Sequence, residues 1–373
     1  MWSVPVALPA VQAEFAVARA DASLPFTLTM IGFAFGGVLM GRIADRFGVL
    51  TSLLLGTILL GAGYVLAGFA TTLWQYALVQ GLLVGVGCAA TFGPLMADIS
   101  HWFVRRRGIA VAICAAGNYL AGTLWPTVLQ HFIATDGWRA THIGVGLFCA
   151  AVMLPLSMAL RRHAPLQHAT SVPVGSAHGA LGLSPNTLQV LLCVAGVACC
   201  VAMSMPQVHI VAYCGDLGYG VARGAEMLSL MLAFGIVSRV ATGFIADRIG
   251  GLRTLLLGSV LQGVALLFYL LFDGLISLYV ISAMFGLFQG GIVPSYAIIV
   301  REYFLPQEAS TRVGLVLMAT LFGMALGGWM SGFIFDLTGS YQAAFANGLA
   351  WSLLNVAIVL WLLLRPRRRL AHA

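Results

Sequence analysis

The chain has 373 residues, of which 60% are hydrophobic and only 8% charged, against about 25% charged in a soluble domain. That balance excludes a soluble enzyme and points to a polytopic membrane protein. The formal charge of +7 rests on arginines that flank apolar stretches, where anionic headgroups neutralise them, so nucleic acid is not the implied partner.

Met1 to Pro9 is apolar but too short to cross about 30 Å of hydrocarbon at 1.5 Å per residue, so it reads as the last half of a truncated first helix. Glu14 to Ala22 reads as a polar loop. Candidate spans follow at roughly 23–41, 50–70, 74–98, 108–132 and 140–160. Residues 161–186, with Arg161, Arg162, three histidines and scattered Pro, Gly and Ser, have the composition of a linker. Further spans fall near 187–213, 224–244, 252–272, 276–300, 313–335 and 344–364, ahead of a basic tail, 365–373. The expected fold is all-α integral membrane: eleven full transmembrane helices and one partial, in two six-helix bundles covering 1–160 and 187–364.

Orientation follows from arginine bias. With the loop between spans two and three on the cytoplasmic side, alternation puts only Arg19, Arg139 and Arg223 outside and fifteen loop arginines inside, a strong positive-inside asymmetry. The halves also repeat. Gly41 to Gly48 reads GRIADRFG and Gly243 to Gly250 reads GFIADRIG, an offset of 202 residues, and Gly137 and Gly339 keep the same register. Internal repeats of this kind belong to secondary transporters, with the solute site near the midplane between the halves.

One charge breaks the pattern. Arg239 lies inside the eighth apolar run, where an arginine costs about 2.5 to 3.5 kcal/mol even on the lenient insertion scale. All twelve acids fall at predicted helix ends or in loops. Arg239 is therefore expected to face an aqueous cavity and to take its counter-charge from an anionic solute. The alternative is a side chain that snorkels to the cytoplasmic interface or binds helix-end carbonyls. At the repeat offset Arg239 corresponds to Gly37, so the scaffold itself does not require the charge.

Other polar groups fall within the spans. Asn118 and Tyr119 in span five, with Gln289 and Tyr296 in span ten, are candidates to line the cavity and hydrogen-bond the solute. His209, near the outer end of span seven, is a candidate to titrate, although a satisfied structural histidine is the commoner case. A second cluster, Asp45, Arg46, Asp98, Arg105 and Arg106, with Asp247, Arg248 and Arg253 as counterparts, sits at cytoplasmic helix ends. Asp45 is placed to accept hydrogen bonds from helix N-terminal amides, and such contacts would gate the cytoplasmic side. Glycines four apart in spans two, four and ten, among them Gly32, Gly36, Gly81, Gly85, Gly286 and Gly290, allow close backbone approach. Trp74, Trp102, Trp138 and Trp361 read as interfacial anchors. The seven cysteines have no ligand spacing and read as packing residues, and no cofactor or metal is called for.

The doubled GxxADRxG signature resembles that of the major facilitator superfamily. Within it, ALPAVQAEF near the start, WFVRRRG after span four, GWR at Gly137 to Arg139, and Arg239 with Gly243 four residues on look like the monocarboxylate and oxalate/formate branch. The resemblance implies secondary transport of a small organic anion, with Arg239 binding its carboxylate through a two-pronged fork. Proton-coupled members of that branch carry an aspartate four residues before the arginine and a lysine in helix one. Here the matching residue is Gly235 and the chain has no lysine. The oxalate exchanger has a lysine in helix eleven, and its absence favours a monoanion.

The expectation is thus a transporter, not an enzyme, in the plasma or bacterial inner membrane, working as a monomer with a possible coupling ion or counter-anion. An exporter of hydrophobic drugs and a non-transporting membrane sensor stand as alternatives.

Overall fold

The computed structural model describes residues 1–102, 107–160 and 182–365, and every regular element among them is helical. Apolar runs with no water to bond their backbones satisfy each N–H and C=O internally, which in a membrane means a helix or a closed barrel. The first part of the chain holds α1 (Ser3–Phe15), α2 (Arg19–Phe47) and α3 (Val49–Gly68). One crossing follows, made of α4 (Leu73–Val79), a π-helical stretch (Gln80–Gly85), α5 (Val86–Ala90) and α6 (Gly93–Trp102). Next comes α7 (Arg107–Ala159). After the linker region come α8 (Pro185–Asp216), α9 (Val221–Ile249), α10 (Gly251–Leu271), the crossing of α11 (Leu275–Gln289) and α12 (Ile292–Tyr303), α13 (Pro306–Thr338) and α14 (Tyr341–Leu364).

Ten helical segments among the described residues are long and apolar enough to cross a membrane. The longest, Ile113–Met158, runs through Gly137, whose φ of 82° and ψ of 159° break the helix into two crossings. Eleven crossings therefore follow the thirteen-residue α1, as expected. The repeat is visible in the backbone. Gly48 (φ 86°, ψ 158°) and its counterpart Gly250 (φ 81°, ψ 163°) both turn the chain between consecutive helices in a conformation that only glycine adopts without strain.

Close packing uses the predicted small residues. A Cβ on Gly32 or Gly36 would run into the backbone of Gly81 or Val86, and one on Gly286 or Gly290 into the carbonyls of Met231 or Gly235. So α2 lies backbone to backbone on the third crossing after α1, and α9 lies likewise on α11. Between the two parts of the chain, α2 packs on α13 and α7 on α9, while α1 touches α8.

Three local expectations are corrected. The loop expected over Glu14 to Ala22 is only Ala16 to Ala18, because α1 runs on to Phe15, the left-handed Ala16 (φ 49°) ends it, and α2 starts at Arg19. The expected linker ends sooner, since Ser184 accepts a hydrogen bond from the Thr187 amide and Pro185 opens α8, an ordinary helix start. Trp138 is no interfacial anchor. It is buried, its indole N–H donates to Glu14, and its ring stands edge-on to Tyr76 and His142. Trp74, Trp102 and Trp361 are exposed.

The start of α10 has a partner that sequence reasoning missed. The Gly251 amide donates to both carboxylate oxygens of Glu302, at 2.9 and 3.2 Å, so an acid from α12 sits on a positive helix end. Removing it as Glu302→Ala is expected to destabilise the protein by about 1 to 2 kcal/mol. Thermal unfolding in detergent followed by intrinsic fluorescence should show the lower midpoint, and an unchanged midpoint would count against the cap.

Candidate solute site and outer seal

Arg239 lies in the middle of α9, half-buried on the side that meets α7. Its Nη1 donates to the Ala115 carbonyl at 3.2 Å, and its Cζ sits 4.1 Å from the centre of the Tyr119 ring. Nε is buried and has no hydrogen-bond partner. The ion pairs among the described residues are Arg19–Asp216, Arg139–Glu14, Arg223–Glu226 and Arg312–Glu308, so no described carboxylate neutralises Arg239. A carbonyl dipole and an aromatic face orient the guanidinium without cancelling its charge. They leave Nε and Nη2 without a hydrogen-bond partner among the described residues, and that pair of donors is the one that grips a carboxylate with two parallel bonds.

The other predicted lining residues divide. Tyr119 forms the floor under the guanidinium, and Asn118, half-buried beside it, gives its backbone carbonyl to Trp2 Nε1 at 3.3 Å. Gln289 is buried at the end of α11, beside Gly290, which packs on Gly235 and Ser238 of α9. Its Oε1 accepts from Gln207 Nε2 at 2.8 Å, and its own Nε2 is buried without a partner. Sequence reasoning misses Gln207, although a glutamine two residues before His209 in an apolar run is the available signal. Tyr296 sits elsewhere, in a packed cluster with Leu255, Ile299 and Val359, its hydroxyl taking a bond from Asn355 at 2.6 Å. His209 is fully buried, with Nε2 2.8 Å from the Gly328 carbonyl of α13 and the ring against Tyr341. That contact fixes the proton on Nε2.

A second set of polar groups joins the two parts of the chain at the end expected to face outward. Asp336, near the end of α13, accepts from the Arg19 and Ala20 amides at 2.8 and 2.7 Å, the first free N–H groups of α2. The Arg19 side chain is buried, pairs with Asp216 at 3.1 Å, donates to Tyr341 and lies 4.8 Å over Phe335. Below this cluster Thr127 and Ser229 share a hydrogen bond at 3.0 Å, and Thr27 donates to the Ala325 carbonyl at 3.1 Å. Toward the cytoplasmic end the seam changes. Missing side chains at Gly37, Gly41 and Gly243 would meet nothing within 4 Å, and Val38, Leu39, Val240 and Phe244 are exposed. Gly37, the repeat counterpart of Arg239, thus stands beside open space.

At the helix ends expected to face the cytoplasm, Asp45, Arg46, Asp247, Arg248 and Arg253 are all exposed, and Arg46 lies over its neighbour Phe47. Asp45 falls in the last turn of α2, and the helix-capping carboxylate found in this region is Glu302. Asp98 accepts from Trp102 Nε1 at 3.2 Å. Arg105 and Arg106 lie outside the described residues. On the outer side Glu14 holds Arg139 at 2.7 Å as well as Trp138, joining two of the short motifs, ALPAVQAEF and GWR, that the sequence places far apart. Partial burial opposes ionisation of Glu14, but the hydrogen bonds from Arg139 and Trp138 and the arginine's charge outweigh it and hold the carboxyl below its usual range.

Comparison with known proteins places these features in a family context. The sequence profile of the Major Facilitator Superfamily matches residues 1–281 and 227–373. Monocarboxylate transporter 13 of Bos taurus is 29% identical over 348 residues, covering 90% of this chain and 79% of that protein. Monocarboxylate transporter 12 of Xenopus laevis is 26% identical over 335 residues, covering 81% and 72%. Among solved structures, a point mutant of the nucleoside transporter NupG superposes with a TM-score of 0.76 at 14% identity, covering 97% of this chain and 96% of that one. A bacterial homologue of the human lysosomal transporter Spinster, in an inward-facing and occupied conformation, gives 0.65 at 18% identity, covering 98% and 92%.

The outer seal generates an expected outcome. Asp336→Ala removes the cap on α2 and weakens the hold on Arg19, so the outer end should open in a larger share of molecules, about tenfold for each 1.4 kcal/mol lost. Spin labels at Asp21 and Tyr219, both exposed on the outer side of different halves, report this by pulsed dipolar spectroscopy as growth of a longer distance. An unchanged distance distribution would show that apolar packing alone closes that end.

Proposed function

The chain belongs to the major facilitator superfamily, and we propose that within it the protein carries a small monocarboxylate across the membrane by alternating access. It is a multi-pass membrane transporter and not an enzyme. One observation carries the finer reading. A guanidinium sits in the seam between the two halves, without a described carboxylate partner and with no hydrogen bond from its Nε and Nη2 to the described residues. An anion with a planar two-oxygen head answers both the charge and the geometry. The similarity to proteins named monocarboxylate transporters agrees with that choice.

In this reading Arg239 binds the carboxylate, Tyr119 supports it, and Asn118, Gln207 and Gln289 surround the rest of the solute. The halves 1–160 and 187–364 rock about the site. Asp336, Asp216 and Arg19 hold the outer end shut, and the charged inner helix ends, Asp45, Arg46, Asp98, Arg105, Arg106, Asp247, Arg248 and Arg253, act when the inner end closes. His209 belongs to the outer packing more than to the solute. The protein works as a monomer in the plasma or bacterial inner membrane, its arginine-rich loops facing the cytoplasm.

Arg239→Ala is expected to abolish carboxylate uptake in proteoliposomes while the protein keeps its monodisperse elution and helical circular dichroism. Arg239→Lys keeps the charge but loses the fork, and should retain a small fraction of activity with affinity weakened about tenfold or more. Competition by pyruvate, L-lactate and 3-hydroxybutyrate, set against a panel of hydrophobic cations, reads the substrate class. Normal affinity for carboxylates in Arg239→Ala would sink the assignment, and competition by the cations alone would favour a drug exporter.

A further inference from the structure

Gly235 stands one helical turn before Arg239, the spacing at which an acidic side chain would pair with it. That place is not merely vacant of charge. A Cβ on Gly235 would collide with the edge of the Tyr119 ring at Cε1 and Cδ1, and the centre of the same ring lies 4.1 Å from the guanidinium Cζ. An uncharged aromatic from α7 therefore fills the volume from which a carboxylate could neutralise the arginine in the empty carrier. Such a carboxylate could also release the arginine to a substrate by taking up a proton.

We infer that the Tyr119–Gly235 notch makes this carrier an anion exchanger, in which the loaded protein passes between its two states readily and the empty protein does not, with no proton bound at the substrate site. This rests on the reading of Arg239 as the carboxylate-binding group. To change state the carrier must pass through a form closed at both ends, where water around the site is scarce and a lone cation is least tolerated. A bound carboxylate cancels the charge for that passage. The Ala115 carbonyl and the Tyr119 ring orient the guanidinium without replacing the missing anion.

Several ionisable groups on the helices packed against α9 have other engagements or lie exposed at helix ends. On α9 itself Glu226 is tied to Arg223, and also to Tyr279 of α11; Asp247 and Arg248 are exposed at the opposite end. From α8, His209 is bonded to Gly328 and Cys214 to Met227. From α10 and α12, Tyr269 is bonded to Ser282, Tyr296 to Asn355 and Glu302 to Gly251, and Arg253 is exposed. From α7 come Tyr119 and the half-buried thiol of Cys114. From α1, Glu14 is held by Arg139.

The test uses the full chain in liposomes with labelled pyruvate, L-lactate, 3-hydroxybutyrate and mandelate as probes. Preloading with the same unlabelled anion is expected to raise initial uptake at least about tenfold over empty liposomes, the scale of an uncompensated intramembrane charge. An inward proton gradient should alter the exchange rate by less than about twofold. Uptake into empty liposomes, driven by the proton gradient as fast as exchange and lost in Arg239→Ala, overturns the exchange inference and leaves the carboxylate reading standing. If none of the four anions shows binding or transport that depends on Arg239, both fall.

Two variants test the notch itself. Tyr119→Leu should raise KM about fivefold, and Tyr119→Phe should recover most of that loss because it restores the ring face. The pair Tyr119→Ala with Gly235→Asp restores an acid one turn from the arginine, and is expected to gain uptake into empty liposomes that rises as the external pH falls. If that pair still exchanges with no response to pH, the notch does not set the coupling.

Discussion

A cation held in the middle of a membrane protein must be answered by a counter-charge, by water or by a very favourable fixed environment, and Arg239 has only part of such an answer. One carbonyl and one aromatic face hold it in place. The other charged side chains of the described residues lie near helix ends, where solvent, headgroups or one another satisfy them. The outer cluster shows the contrast. There Arg19 is more deeply buried than Arg239, yet it has Asp216, Tyr341 and the Phe335 ring around it, and the neighbouring Asp336 takes up two helix-end amides. Arg19 is a structural charge because the chain completes it. Arg239 is left incomplete by the described residues.

That difference also explains how the two halves are joined. At the outer end the joint is polar, with helix-end amides and a buried guanidinium matched by acceptors from the other half. Near the middle it holds the Arg239–Ala115 bond, the Tyr119 ring packed on Gly235 and the contact of Phe35 with Phe322, whose ring centres are 5.8 Å apart. Nearer the cytoplasm, the glycine positions of α2 and α9 face open space. In the proposed mechanism of alternating access, the polar end is the one that must be broken when the carrier changes state. Its polar groups suit that task, since water can replace their partners when they separate, whereas exposing a purely apolar seal to water has no such compensation.

Much of this was legible in the sequence because the governing signals are long or repeated. Span count comes from apolar length, and the twofold relation comes from two copies of one motif, which the matching dihedrals of Gly48 and Gly250 reproduce. What escaped were pairings between residues far apart in the chain. Glu302 on Gly251, Asp336 on Arg19 and Glu14 on Trp138 each join a helix end to a distant segment, and neither periodicity nor spacing carries that information. Trp138 is misleading for the same reason. A tryptophan at a helix end reads as an interfacial anchor until the acid that buries it is known. Tyr296 shows the opposite error, since a polar group in an apolar run suggests a cavity when a second buried polar group, Asn355, already satisfies it.

The asymmetry of the repeat carries the functional argument one step further. At corresponding places the two halves present Arg239 and Gly37, so the charge belongs to one half only. The ring that steadies it, Tyr119, comes from the other half, and so does the carbonyl of Ala115. The site is therefore composite, with the charge on α9 and its supports on α7. In the proposed mechanism the halves rotate, α7 and α9 shift against each other, and the grip on the guanidinium changes with them. A carboxylate held by Arg239 would sense that shift directly, because the arginine's orientation would fix where it lies. Affinity and conformation would then be linked through one side chain, without a separate relay through the protein.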